Sequence, residues 1–308
     1  MLVGAALGTL PDLDVLIDYG DPVRNFTYHR GFSHSLFVLA PFSVSLWLLL
    51  RALWAPVREA PLRWLGAISL ALITHPLLDA HTAYGTQLFW PMTSPPVSWA
   101  TIFIIDPMYT LPLLIGTLYA ASRPALARSD TALRTGLVVS TLYLAWSWAA
   151  QAVVERNARD ALADLGLQDA EIFVTPTPLN TLLWRVVVLT EDGFLEGFDS
   201  ILVDEPVMTF SASASDTQAL QAASDVWAVD RLHWFSRGFL KASVDDDRLI
   251  LSDLRMGQNP VYIFSHVVAA RSDPYWQPIP TELLPVSFTS RALSSTWQRI
   301  WADSNIKR

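Results

Sequence analysis

Long apolar runs separated by short polar breaks fill the first half of the chain, whereas the second half mixes short apolar stretches with charge. Four runs, approximately Leu36 to Trp54, Leu62 to Ala80, Ile102 to Ala121 and Leu133 to Val154, approach the roughly 20 residues that a helix needs to cross a bilayer. The opening MLVGAALGTL is too short to span and reads as the end of a helix. A buried soluble bundle would also be apolar, but four long runs flanked by Trp54, Trp90 and Trp99 favour a membrane. Beyond about Ala158 the pattern changes. LLWRVVVLTEDGFLEGFDSIL predicts two strands around an Asp-Gly turn at 192–193. DDDRLILSDLRMG and PVYIFSHVVAA predict further strands, and TQALQAASDVWAVDRLHWF a helix. The expected fold is an all-α polytopic membrane helical domain over 1–154, followed by a small soluble α+β domain over 155–308.

Composition sharpens this picture. Of 308 residues, 52% are hydrophobic and only 16% charged, against roughly a quarter charged in soluble domains. The net charge of −8 lies mostly in the second half and argues against nucleic-acid binding through a basic surface. The absence of Cys excludes thiolate metal sites, Cys nucleophiles and disulfides, and leaves the redox compartment open. The first residues carry no basic segment of the kind that opens a secretory signal. Arg51, Arg58 and Arg63 lie between the first two runs, and Arg123, Arg128 and Arg134 between the last two. Positive loops favour the cytoplasm, so a multi-pass inner-membrane protein is expected with 11–35, 75–106 and 155–308 on the outer, periplasmic side.

That orientation gathers the unusual polar residues at one membrane face. Asp12 and Asp14 belong to PDLD; His29, Arg30 and His34 to HRGFSHS; His75, Asp79 and His81 to HPLLDAH; Asp106 opens the third run. His75 and Asp79, four apart, share one helical face inside an otherwise apolar segment, where ionisable groups are costly and point to function. Pro76 is expected to kink that helix or free a carbonyl. Four His and four Asp without Lys or Cys predict a mixed nitrogen and oxygen site for a divalent cation, zinc first and manganese or iron next. Eight candidates exceed one tetrahedral shell, so either more than one ion binds or some residues orient the ligands. Asp14, His34, His75 and Asp79 are the best-placed ligands, and His81 the least, since its offset of two from Asp79 turns it away. Asp14, His34 and Arg30 are expected to carry catalysis, Arg30 by forking onto an anionic substrate group; the plainer reading of Arg30 is a snorkelling interfacial residue. Ser33 or Ser35 as nucleophile is the competing enzyme reading, disfavoured because no G-x-S-x-G turn exposes them.

PDLD, HRGFSHS, HPLLDAHTAYGTQLFWP and Asp106, in this order, resemble the YdjM-like family of inner-membrane proteins, to which metal-dependent hydrolysis is ascribed. TPTPLNTLLWRVVV (175–188) and RLHWFSRGFL (231–240) are similar to the soluble portion of its longer members. Members of that family usually begin with a further helix and a basic turn, so a start upstream or a shortened protein is expected here. The resemblance implies a hydrolytic class and no substrate; the ligand set and Arg30 predict metal-activated water acting on a phosphoester or other ester, and a site at the bilayer surface suits a small-molecule or lipid-like substrate. A transporter or metal-handling protein, or a scaffold with a structural metal, are the alternatives. Ligands at one face, with no charge mid-span in the first and fourth runs, weaken a through-path. In the second half, Arg185, Arg237, Arg255, His233 and His266 read first as local hydrogen-bonding groups and second as headgroup contacts. Oligomeric state is not legible.

Overall fold

The computed structural model describes residues 2–123, 127–203, 208–272, 274–286 and 297–301. The N-terminal region is helical. α1 (Leu2–Thr9) leads into a 3-10 turn at Pro11–Leu16; α2 (Pro22–Tyr28) is capped by Asp21, whose carboxylate accepts from the Arg24 amide. A second 3-10 turn, Phe32–His34, precedes α3 (Leu36–Leu53), which Ser35 caps through the Phe37 amide. The short α4 (Ala55–Glu59) turns the chain into α5 (Pro61–Asp79), and Leu7, Leu39, Ile68 and Leu72 pack α1, α3 and α5 together.

α6 (Pro107–Ser122) and α7 (Ala127–Ala163) form an antiparallel hairpin whose backbones nearly touch. A Cβ on Gly116 would lie 2.7 Å from the Ala132 carbonyl oxygen, and one on Gly136 2.5 Å from that of Pro112. Among the described residues three helical stretches are long and apolar enough to cross a membrane: α3, α5 and residues Arg128–Ala163 of α7. The third expected run is corrected. Its helix starts at Pro107, with Asp106 as N-cap, and keeps 16 residues, a length of about 24 Å against a hydrocarbon core of about 30 Å. Asp followed by Pro is a strong helix start, and a count of apolar residues passes over it.

α7 continues through residue 154 without a break. Its last turns lay Ala150, Val154, Ala158 and Leu162 against Val174, Trp184, Val186 and Val188 of a C-terminal domain of antiparallel sheets. One sheet has the order β1-β2-β3-β4, from β1 (Ile172–Pro176), β2 (Leu183–Thr190), β3 (Gly193–Ser200) and β4 (Phe210–Ala214). Two helices follow, α8 (Thr217–Ala222) and α9 (Trp227–Ser236), where one was expected; the chain leaves the helix at Ala223 and re-enters after Val226. β5 (Leu240–Asp245), β6 (Arg248–Asp253), β9 (Ser265–Ser272) and β10 (Tyr275–Leu283) form the second sheet, ordered β10-β9-β6-β5, while β7 (Gly257–Gln258) and β8 (Val261–Tyr262) pair separately. The β2–β3 hairpin turns at Glu191–Asp192, one residue earlier than expected, with Gly193 paired to Thr190. A Cβ on Gly193 would collide with the Ser213 carbonyl of β4, so this glycine serves close strand approach.

The second sheet and α9 share a core with the loops between the spans. Val23, Phe26 and Tyr84 are buried together with Val229, Leu232, Phe235, Leu249 and Leu251. Arg231 donates to the Thr27 hydroxyl and carbonyl, Trp234 to the Thr93 carbonyl and Thr281 to Asp21. Burying rings such as Phe26 and Tyr84 contributes about 1.5–3 kcal/mol each, so the C-terminal domain is docked on the loops that carry the polar motifs.

Candidate metal centre

Three separate segments bring four side chains to one point. The Pro11–Leu16 turn presents Asp12, the Phe32–His34 turn presents His34, and one face of α5 presents His75 and Asp79. His34 Nε2 lies 3.3 Å from Asp12 Oδ1 and 3.1 Å from Asp79 Oδ2; His75 Nε2 lies 3.3 Å from each of the same oxygens. One ligand atom from each residue falls within 4.8 Å of the other three, so this group could hold a metal ion. Bonds of about 2.0–2.1 Å to a tetrahedral cation place neighbouring ligand atoms about 3.3 Å apart, which is the spacing here.

The hydrogen bonds behind this group decide its protonation. Ser33 Oγ donates to Asp14 Oδ2 at 2.6 Å, because a carboxylate only accepts. Having spent its proton, the same hydroxyl accepts from His34 Nδ1 at 2.9 Å. His34 therefore carries its proton on Nδ1 and turns the Nε2 lone pair toward the carboxylates. His34 Nε2 and Asp79 Oδ2 are both buried, 3.1 Å apart, and neither has a hydrogen-bond partner. Two buried acceptors face each other, an arrangement that costs several kcal/mol unless a cation or an added proton lies between them. The donor set and the unpartnered atoms both fit a divalent metal.

Asp14 was expected as a ligand; instead it stands behind the site. Its Oδ1 accepts from His29 Nδ1 at 2.8 Å, and its Oδ2 from the Arg30 amide at 2.9 Å as well as from Ser33. Burial raises the Asp14 pKa, but the bonds from His29 and Ser33 prevail and hold it below the usual range. Two residues along a 3-10 turn are about 240° apart, so Asp12 and Asp14 diverge. Arg30, expected to fork onto a substrate anion, is buried and turned inward. Its Nη2 lies 3.2 Å from Asp79 Oδ1, its Nη1 donates to Thr82 Oγ1, and its guanidinium covers the Tyr84 ring at 5.2 Å. It thereby fixes Asp79 with Oδ2 toward the centre. Its backbone is left-handed (φ 57°), a conformation that costs a non-glycine residue of order 1 kcal/mol or more. The bonds from the Arg30 amide to Asp14 and from the Gln87 amide to the Arg30 carbonyl hold it there. Gly31 follows because any Cβ would lie 2.7 Å from the Tyr28 carbonyl oxygen.

His81 and Asp106 do not join. His81 Nδ1 donates to the Leu77 carbonyl and its ring packs edge-on to Trp99 and Trp148; burial, only partly offset by that carbonyl, lowers its pKa. Asp106 caps α6 through the Met108 and Tyr109 amides and accepts from Tyr143. The eight expected residues thus divide into four around the centre, Asp14 and His29 behind it, and two elsewhere. Ser33, next to His34, and Thr82, three residues after Asp79, are orienting groups that the sequence marks only by these short separations. In the C-terminal domain Arg255 is paired with Asp253 and Arg185 with Glu196, as local partners, and Arg237 donates to the Pro96 carbonyl.

Comparison with known proteins adds a lineage. The family described as the YdjM inner membrane protein matches residues 1–154. The "Uncharacterized protein YfhP" of Bacillus subtilis (strain 168) is 27% identical over 199 residues, covering 64% of this chain and 58% of that relative, less than two thirds of its length. No solved structure matches. The family match takes in every residue of the metal-binding group, and the chain belongs to the YdjM inner membrane protein family.

Proposed function

We propose that this protein is a membrane-bound metal-dependent hydrolase of phosphoesters or related esters. The observation that carries the reading is the buried, unpartnered pair of His34 Nε2 and Asp79 Oδ2 at the meeting point of three segments. Asp12, His34, His75 and Asp79 would hold the ion, and two imidazoles with two carboxylates suit zinc first, with manganese or iron as alternatives. The described residues support one such group, so one ion is proposed. When bound, the cation supplies Lewis acidity, polarising an ester oxygen and acidifying water.

The remaining roles belong to the chain itself. Asp12, half-exposed where His34 is fully buried, marks the side from which a substrate approaches. His29 donates its Nδ1 proton to Asp14, which leaves Nε2 as an acceptor beside the centre. His29 is therefore the group proposed to take and return a proton, and Asp14 the residue that orients it. Arg30 positions Asp79.

One observation favours a second reading. Four protein ligands close a tetrahedral shell, the habit of structural zinc, and here they would clamp two loops to α5 without chemistry. Metal analysis of the purified chain, followed by turnover of phosphomonoester, phosphodiester and carboxylic ester probes before and after chelation, separates the two. Stoichiometric metal with chelator-sensitive turnover supports the hydrolase. Stoichiometric metal with no turnover on any probe supports the clamp. If His75→Ala and Asp79→Ala both retain wild-type metal content, the centre itself is wrong.

A further inference from the structure

The turn that bears Asp12 and Asp14 is built inside out. Asp14 is 4% exposed, whereas Leu13, Val15, Leu16 and Ile17 are 53, 68, 78 and 41% exposed. A loop in water places its carboxylates outward and its leucines inward; four exposed apolar side chains flanking a buried carboxylate in sequence are stable where the outer medium is itself apolar. This strip adjoins α5, the span that supplies His75 and Asp79, and that helix exposes Leu70 as a lipid-facing helix does. It also carries the half-exposed Asp12, the most open residue of the metal group. Here the lipid-facing surface and the approach to the centre run together.

We propose that Leu13, Val15, Leu16 and Ile17 form an interfacial lip that lies in the bilayer and presents the centre to the phosphoester headgroup of a membrane lipid. The apolar tail stays among the acyl chains beside the lip, and the headgroup reaches Asp12 without leaving the membrane surface. This rests on the hydrolase reading for its substrate class and on the exposed strip for its location, and two measurements keep them apart.

The first uses the full chain, naturally free of Cys, in nanodiscs of phosphatidylethanolamine and phosphatidylglycerol. Leu16→Cys, with Val15→Cys as a second position, carries a benzophenone; Leu49→Cys on the exposed side of α3 is the lipid reference and Gln221→Cys in α8 the water reference. Light should attach phospholipid at positions 16 or 15 and 49, and not at 221. Absence of lipid adducts at both 15 and 16 while 49 reacts would overturn the lip. Adducts there to a second copy of the chain would overturn it too, by making the strip a protein interface. The second measurement compares one phosphoester headgroup on long-chain lipid in the nanodisc and on a short-chain soluble analogue, using the metal-loaded wild-type protein. Bilayer presentation should raise kcat/KM at least about tenfold, the equivalent of seating roughly two methylenes. Equal turnover of both forms would overturn the lipid substrate even if the lip is cross-linked. Lipid adducts with no turnover of either form would reject hydrolysis and leave the lip as a lipid-binding surface.

Discussion

Ser33 links Asp14 to His34 and thereby sets which nitrogen of His34 faces the centre. Considered from sequence as a rival nucleophile, it has its hydroxyl proton committed to a carboxylate and its lone pair to an imidazole. Ser33→Ala should release the His34 tautomer and weaken metal binding about 10–100-fold, the usual effect of losing an orienting partner. Ser33→Thr should restore it. Competition against a chromogenic chelator measures both, and unchanged affinity in Ser33→Ala would refute the relay. A second residue reports on the C-terminal domain. Burial pushes the His266 imidazole down to about 4, against weaker upward pulls from Asp253 and Asp21. The folded pKa lies below the unfolded value of about 6.5, so the neutral ring's contribution is complete above that value and is lost as pH falls from 6.5 through 4. Between pH 7 and pH 5 the wild type should lose about 2 kcal/mol that His266→Phe does not. Parallel pH profiles of unfolding for the two proteins would remove His266 from the account.

At the scale of elements, the α6–α7 hairpin depends on two glycines that allow the helices to approach. Because a Cβ on Gly136 would lie 2.5 Å from a backbone oxygen of Pro112, Gly136→Ala must separate the helices and should destabilise by about 1–3 kcal/mol, as overpacking does. Gly66, in the second turn of α5, has open space at its Cβ position. Gly66→Ala should therefore be neutral or stabilise by up to about 1 kcal/mol through helix propensity. Unfolding of both variants in one detergent gives the comparison, and equal effects would contradict the packing argument. α5 also meets the expectation for Pro76 in part: the helix runs through it, and the proline's missing N–H leaves the Leu72 carbonyl without its usual helical partner.

For the whole molecule, the docked C-terminal domain and the metal-binding group share one face, tied together by Arg231, Thr27, Phe26 and Tyr84. The arginine-bearing turns after α3 and α6 lie at the opposite helix ends. If positive loops are retained inside, an exposed cysteine introduced at Gln221 should react with an impermeant maleimide when only the outer membrane is opened. One at Glu59 should react only after the inner membrane is breached. The reverse pattern would invert the topology and place the centre on the cytoplasmic side.

Apolar run length revealed the α3, α5 and α7 spans from sequence alone, because burial in lipid demands a continuous hydrophobic helix whatever surrounds it. The i, i+4 spacing likewise set His75 beside Asp79, since a helix fixes that geometry locally. Strand-forming stretches in the second half were legible for the same reason: alternation is a property of a single segment. Tertiary structure decided the rest. Asp12 rather than Asp14 faces the centre because the turn is 3-10, and its orientation depends on His29, Arg30 and Ser33 arriving from another segment. Arg30 serves Asp79 instead of facing outward because Thr82 and Tyr84 fold back over it. The C-terminal domain shares a core with α2 and Tyr84 because Phe26 finds Phe235 from the far end of the chain. Periodicity records what one segment needs; which distant segment supplies a partner is settled only when burial brings them together.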